Sequence, residues 1–257
     1  MFFFDPGKLH EVAGRLHLDY VHASPFPHVL LDQFFAEEIL DRVHDEFLRP
    51  DEGRWTKRYH GNSRKLELTD ETQMGEATRT FLAQLNSSAF LTFLEELTGI
   101  AGLIPDPHFS GGGLHQIERG GFLNIHADFN YLERLGLYRR LNLLLYLNED
   151  WKEEYGGHLE LWSRDMTRCE RRFLPLFNRC VIFSTSDDSF HGHPGKVACP
   201  EGMTRKSLAL YYYTAAPANS QTSRPHSTLY QKEGSVNAPR WGFNAREILR
   251  RFARLAP

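Results

Sequence analysis

From about residue 108 the chain breaks into short apolar runs at 114–118, 122–126, 138–147, 157–162, 179–184 and 205–214, separated by Gly, Asp, Asn and Pro. Runs of this length, punctuated by turns and with no regular helix between them, bury their faces only by pairing antiparallel into a sandwich or barrel. This pattern constrains the fold more than any other feature of the sequence. Along 205–214 it also sorts side chains by face, because residues two apart in a strand point the same way. Arg205, Ser207, Ala209 and Tyr211 share one side, and Lys206, Leu208 and Leu210 the other.

The first hundred residues read differently. Residues 36–49 carry Ile39, Leu40, Val43 and Phe47 on one helical stripe, and Pro50 helps to end it. Further helices are predicted over 70–85 and 89–97, the second closed by Gly99. Residues 15–20 alternate polar and apolar, which predicts a half-buried strand, and another strand is expected over 28–34. Residues 54–65 are polar, aromatic and basic, the composition of an exposed loop or hairpin. Residues 215–242, rich in Pro, Ser, Asn and Gln, are expected to form an irregular surface tail. Asn244-Ala-Arg-Glu247 resembles a capping box opening a last helix to Leu255.

No repeat or linker divides the sequence, so a single domain is expected over 1–257. Its parts are a mainly helical 1–107, a β core over 108–214, and a tail with a terminal helix over 215–257. A protein of 257 residues buries enough surface to fold without a disulfide or structural metal. Its 19 Phe, 10 Tyr and 4 Trp point to a well-filled core or a lined pocket. A net charge of −3 argues against a general nucleic-acid grip, which needs a surplus of Lys and Arg. No apolar run approaches the roughly 20 residues that cross a bilayer. Met1-Phe2-Phe3-Phe4 stops at Asp5-Pro6 with no basic leader, so it does not read as a signal peptide. Three cysteines without CxxC spacing read as reduced thiols, and the expected location is cytoplasmic.

Chemistry concentrates at His126-Ala127-Asp128. In an extended segment His126 and Asp128 face the same way and can reach one metal ion. A third ligand must come from elsewhere, and His191 in Phe190-His191-Gly192 is the natural candidate. Two imidazoles and one carboxylate on one face form the set that holds non-haem Fe(II) with positions left open. With 13 histidines in the sequence, an isolated His-x-Asp is also what chance supplies, so context has to decide. Arg205 provides it: a guanidinium beside the small Ser207 and Ala209 offers charge and room for a carboxylate. Lys206, on the opposite face, reads as a lysine reaching solvent.

Taken with Arg139-Arg-Leu-Asn-Leu-Leu-Leu-Tyr-Leu-Asn148, Trp151 and Gly156-Gly157-His-Leu-Glu-Leu161, these motifs resemble the Fe(II)/2-oxoglutarate-dependent dioxygenases. Within them the likeness is to the prolyl-4-hydroxylase-like branch, over roughly residues 108–214. The resemblance implies a mainly β fold with flanking helices, a double-stranded β-helix or jelly roll. It implies that His126, Asp128 and His191 are the iron ligands and the catalytic centre. Arg205 and Tyr146 then hold the distal carboxylate of 2-oxoglutarate, with Ser207, Asn142 and Gln116 lining the cosubstrate pocket. The implied cofactors are Fe(II), 2-oxoglutarate and O2, with ascorbate helpful in vitro. Gly156-Gly157 reads as a tight turn, and His158 and His193 as non-ligands.

The interval from His191 to Arg205 is longer than the branch usually shows, and collagen-type members carry lysine at the cosubstrate position, which makes Lys206 a rival. The face argument favours Arg205. The implied reaction is hydroxylation of an unactivated C–H, in a prolyl or other peptide residue or in a free amino acid or small metabolite. Tyr211 stands where nucleic-acid dealkylases of the superfamily carry a second arginine, so no nucleic-acid partner is expected. The segments 55–65 and 130–139 are candidates for covering the substrate. A reading from another class is a cupin-like metal-binding or isomerase protein on the same scaffold, which would need no clamp such as Arg205 and Tyr146. Nothing in the residues sets the oligomeric state.

Overall fold

A computed structural model describes residues 3–216 and 224–230. The helix expected over 244–255 and most of the expected tail lie outside the described residues. Four α-helices occur: α1 (Pro6–Val21), α2 (Glu37–Asp45), α3 (Glu76–Leu85) and α4 (Ser88–Thr98). The strands are β1 (His28–Asp32), β2 (Thr56–His60), β3 (Ser63–Leu68), β4 (Ile104–Pro105), β5 (Gly113–Ile117), β6 (Phe122–Ala127) and β7 (Tyr131–Leu132). They continue with β8 (Leu137–Tyr146), β9 (Leu159–Trp162), β10 (Cys169–Phe173), β11 (Arg179–Ser184), β12 (His191–His193), β13 (Arg205–Thr214) and β14 (Leu229–Tyr230).

Every strand pairing among the described residues is antiparallel, along the path β1-β11-β8-β13-β5-β3-β6-β12-β9-β10. The sheet curls on itself, so that Asn142 of β8 reaches Asp128 just beyond β6 although the two strands are far apart along the path. This is the double-stranded β-helix that the family resemblance implies, and an antiparallel closed sheet as the short punctuated strands require.

The two faces of the sheet have separate jobs. Leu141, Leu143 and Leu145 of β8 and Leu208, Leu210 and Tyr212 of β13 face outward into one large core with the four helices. Truncating a buried leucine of this kind typically costs about 2–5 kcal/mol. The alternate residues, Asn142 and Tyr146 on β8 and Arg205, Ser207 and Tyr211 on β13, face the inside of the curl in cross-strand register. The period-2 pattern therefore assigns greasy residues to the scaffold and polar ones to the cavity.

Residues 15–20 are helical, not a strand. Asp5 accepts from the Gly7 amide, Pro6 opens α1, and Leu9, Ala13 and Tyr20 are buried at helical spacing. The polar-apolar alternation over six residues was a fragment of that longer period. The helix expected over 70–85 is also shorter: a 3₁₀ turn at Glu71–Gln73 precedes α3. The Glu46 carboxylate accepts from the Ala77 and Thr78 amides at 2.9 and 2.8 Å. A Cβ on Gly75 would overlap that carboxylate, so the glycine lets the cap approach. Residues 54–65 form the β2–β3 hairpin.

Within the stretch expected to be an irregular tail, residues 224–230 return to the sheet. Leu229 and Tyr230 of β14 pair with Ala127 and His126 of β6. His226 Nε2 lies 2.9 Å from Asp187 Oδ1, and the His226 amide donates to Asn130 Oδ1 at 2.9 Å. No helix among the described residues is long and apolar enough to cross a membrane.

Candidate active site

His126, Asp128 and His191 converge, each offering one ligand atom, with those atoms all within 4.8 Å of one another. β6 and β12 bring them together, because His191 is the cross-strand partner of His126. His126 Nε2 lies 3.6 Å and His191 Nε2 3.4 Å from the two Asp128 oxygens. All three side chains are buried.

The orientation of both rings is set from behind. His126 Nδ1 lies 2.8 Å from the Asn124 carbonyl and His191 Nδ1 2.9 Å from the Ser189 carbonyl. A carbonyl only accepts, so Nδ1 carries the proton and the Nε2 lone pair points at the cluster. Burial, offset in part by Asp128, lowers the His191 pKa to about 4, which leaves a neutral, ligating imidazole at pH 7. Burial works against ionisation of Asp128, but Arg139, then His191 and His126, outweigh it and hold its carboxyl well below the ordinary range.

Arg139 is a residue that reading the sequence alone missed as part of the centre. It is almost fully buried, and its Nη2 lies 3.1 Å from Asp128 Oδ2. Its guanidinium stacks over Tyr211 at 3.5 Å and donates to Asn142 Oδ1 through Nε (2.9 Å) and Nη2 (2.7 Å). Asn142 in turn donates to Asp128 Oδ2 at 2.7 Å. Asn142, expected to line a cosubstrate pocket, instead orients the carboxylate together with Arg139. Strand alternation alone would turn Arg140 to the Asn142 face; the register shift against β13 at Tyr212 and Tyr213 brings Arg139 there instead, and nothing local in the sequence signals it.

Arg205, 4% exposed, lies on the inner face of β13. Its Nε donates to the Gly157 carbonyl at 2.7 Å and its Nη2 to Tyr146 Oη at 3.4 Å. Gly157 has φ +70°, and a Cβ there would meet Arg205 Cδ at 3.0 Å, so this turn also cradles the arginine. Among the described residues no carboxylate pairs with Arg205. A buried cation without an anion costs several kcal/mol. The cradle is therefore built for an anion arriving from outside. Ser207 shares its face, opposite Tyr146 in register.

Gln116 does not line this pocket. It pairs in register with Lys206, on the opposite face from Arg205, and its side chain bonds the Leu48 carbonyl and Thr204. A one-residue shift flips the face, and its neighbour His115, partner of Ser207, is the one turned inward. Burial and Lys65 lower the His115 pKa to about 3. Lys206 meets α2 instead, with Nζ 3.0 Å from His44 Nε2. His158 bonds Glu153 at 2.9 Å, away from the cluster. His193 is 4% exposed, and neither ring nitrogen has a partner. With the orphaned Ser63 Oγ it flanks Leu123 of β6, and both count as unsatisfied donors or acceptors beside the cavity.

A double-stranded β-helix carrying two buried imidazoles and a carboxylate, with a buried, acid-free arginine on the same inner face, defines a class of site: a candidate mononuclear metal centre beside a cradle for an anion. Residues 112–213 match the model of the 2OG-Fe(II) oxygenase superfamily. Prolyl hydroxylases are among the proteins that the chain resembles. The prolyl 3-hydroxylase OGFOD1 of Mus musculus is 24% identical over 225 residues, 81% of this chain. The chain spans 38% of that relative's length. Among solved structures, a Pseudomonas putida prolyl-4-hydroxylase superposes with a TM-score of 0.56 at 19% identity, covering 79% of this chain and 99% of that one. A Trichoplax adhaerens prolyl hydroxylase bound to a hypoxia inducible factor peptide fragment gives 0.53 at 17%, covering 80% and 91%. HygX of Streptomyces hygroscopicus, with nickel, 2-oxoglutarate and hygromycin B bound, gives 0.53 at 11%, covering 87% and 99%.

Proposed function

We propose that the protein is an Fe(II)- and 2-oxoglutarate-dependent hydroxylase, with His126, Asp128 and His191 as the metal ligands. The observation that carries this is the pairing of two sites inside one curled sheet: a buried His-Asp-His donor set and a buried arginine with no acid of its own among the described residues. The donor set fits ferrous iron, a borderline cation that takes imidazole and carboxylate and keeps open positions. Arg205 and Tyr146 fit the distal carboxylate of 2-oxoglutarate. When bound, iron and cosubstrate supply the oxidising chemistry, in which one atom of O2 enters succinate as CO2 leaves and the other converts a substrate C–H into C–OH.

The protein's own residues do the rest. The Asn124 and Ser189 carbonyls keep the Nε2 lone pairs of His126 and His191 available. Arg139 and Asn142 fix the rotation of the Asp128 carboxylate, as hydrogen-bond partners behind a metal ligand do. Arg205 offers a forked donor whose approach is preset by Gly157 and Tyr146. Phe183, edge-on to His191 at 4.7 Å, and Leu161 keep water from the buried side. The three unbridged cysteines support a reducing, cytoplasmic setting.

The test is formation of succinate from 2-oxoglutarate with Fe(II) and ascorbate. His126→Ala and Asp128→Ala should abolish it, and equal turnover by either variant would overturn the assignment. Thermal stabilisation by Mn(II) together with 2-oxoglutarate separates this reading from a cupin-like metal protein, which has no use for the Arg205 cradle.

A further inference from the structure

The cavity above the metal-binding side chains is small and more highly charged than a pocket for an apolar C–H needs. Its volume is about 280 Å³. Lys65 and Glu67 face it from β3, Arg58 from β2, and Tyr230 of β14 roofs it, its ring 5.5 Å from that of His126. The Glu67 side chain, 6% exposed, takes two cations, Arg58 Nε at 2.7 Å and Lys65 Nζ at 2.7 Å. Two positive charges on one carboxylate leave a surplus cation on the wall, shared between Lys65, 13% exposed, and the half-exposed Arg58. A neutral substrate leaves that charge paired only with Glu67 and solvent. A substrate carboxylate satisfies it, and Glu67 keeps a face for a positive group.

Space and backbone agree with charge. A volume of this size lies at the low end for small-molecule sites, which suits a ligand on the scale of a free amino acid. An extended peptide bound through its backbone needs an open strand edge beside the site. Next to His126 that edge of β6 is already taken by β14.

We propose that the substrate is a free amino acid, its carboxylate on Lys65 and Arg58, its ammonium beside Glu67 and a C–H bond of its R group turned toward His126 and Asp128. This rests on the hydroxylase reading above. That C–H bond gains one oxygen atom of O2, and the other leaves in succinate as 2-oxoglutarate releases CO2, so no further reductant is required.

The experiment measures succinate formation by the whole protein, with Fe(II), 2-oxoglutarate and ascorbate. It compares the free proteinogenic amino acids with their N-acetyl amides and with proline tripeptides capped at both ends. At least one free amino acid should raise turnover about ten-fold or more over the substrate-free rate, with a hydroxylated product seen by mass spectrometry. Its doubly capped form should not. Lys65→Met should then raise KM for that amino acid by about ten- to a hundred-fold, the loss expected of one charge-assisted contact. Stimulation by a capped peptide alone, or by no free amino acid, overturns the proposal. A protein that neither makes succinate nor is stabilised by Mn(II) and 2-oxoglutarate fails at the hydroxylase reading instead, and takes this proposal with it.

Discussion

Two buried charge clusters inside the curled sheet solve opposite electrostatic problems. Arg205 is a buried cation without an acid among the described residues, braced by the Gly157 carbonyl and Tyr146. At the mouth Glu67 is a buried acid with two cations, and those partners, working against burial, draw its pKa down to about 2. The first arrangement is incomplete until an anion enters, so it selects strongly. The second is nearly complete, so it recognises charge more mildly. Asp128 is neutralised from one side by Arg139 and faces two imidazoles on the other. The contrast teaches that burial alone does not mark a binding site; burial with an unmet partner does.

The comparison can be broken at its centre first. Asp128→Ala removes a ligand worth several kcal/mol, so succinate formation should fall by about a thousand-fold or more, with Mn(II) affinity measured by calorimetry falling in parallel. The Arg205 cluster comes next. Arg205→Ala should weaken 2-oxoglutarate binding by about thirty- to a thousand-fold, whereas Lys206→Ala, against His44 on the outer face, should stay within about three-fold. The reverse order in a titration would mean that the other cation holds the cosubstrate.

Asn142→Ala leaves the ligands in place but frees the Asp128 carboxylate to rotate, and metal affinity should drop about ten- to a hundred-fold. The smallest effect belongs to the roof. Burial opposes a charge on His226, but the Asp187 carboxylate and the Ser227 carbonyl outweigh it and raise its pKa. A raised folded pKa gives stability that is complete below the ordinary value of about 6.5 and is lost as pH rises through the folded one. Hydrogen-exchange protection of the Leu229 and Tyr230 amides should therefore fall as pH rises above about 6.5. Asp187→Asn should flatten that dependence, and an unchanged slope would mean that another group anchors the strand.

Much of this was legible in one dimension. Strand β13 could be read to its ends because an unbroken apolar run follows Arg205-Lys206, and the two-residue repeat put Arg205 and Ser207 on one face. His126 and Asp128 needed only the two-residue repeat of a strand. The misreadings share one cause, a window too short to fix a period or a register. Residues 15–20 look extended until the Asp5-Pro6 start and the spacing of Leu9, Ala13 and Tyr20 are counted together. Gln116 and His115 differ by one residue, and only pairing with β13 says which faces inward.

Local sequence determined the donor chemistry, the strand periodicity and the turns, because each depends on residues within a few positions of one another. Tertiary structure alone decided that Arg139 stands behind Asp128, that Gly157 braces Arg205 and that Tyr230 roofs His126. Those contacts join residues far apart in sequence, and which side chains meet across a curled sheet follows from the register of all its strands at once.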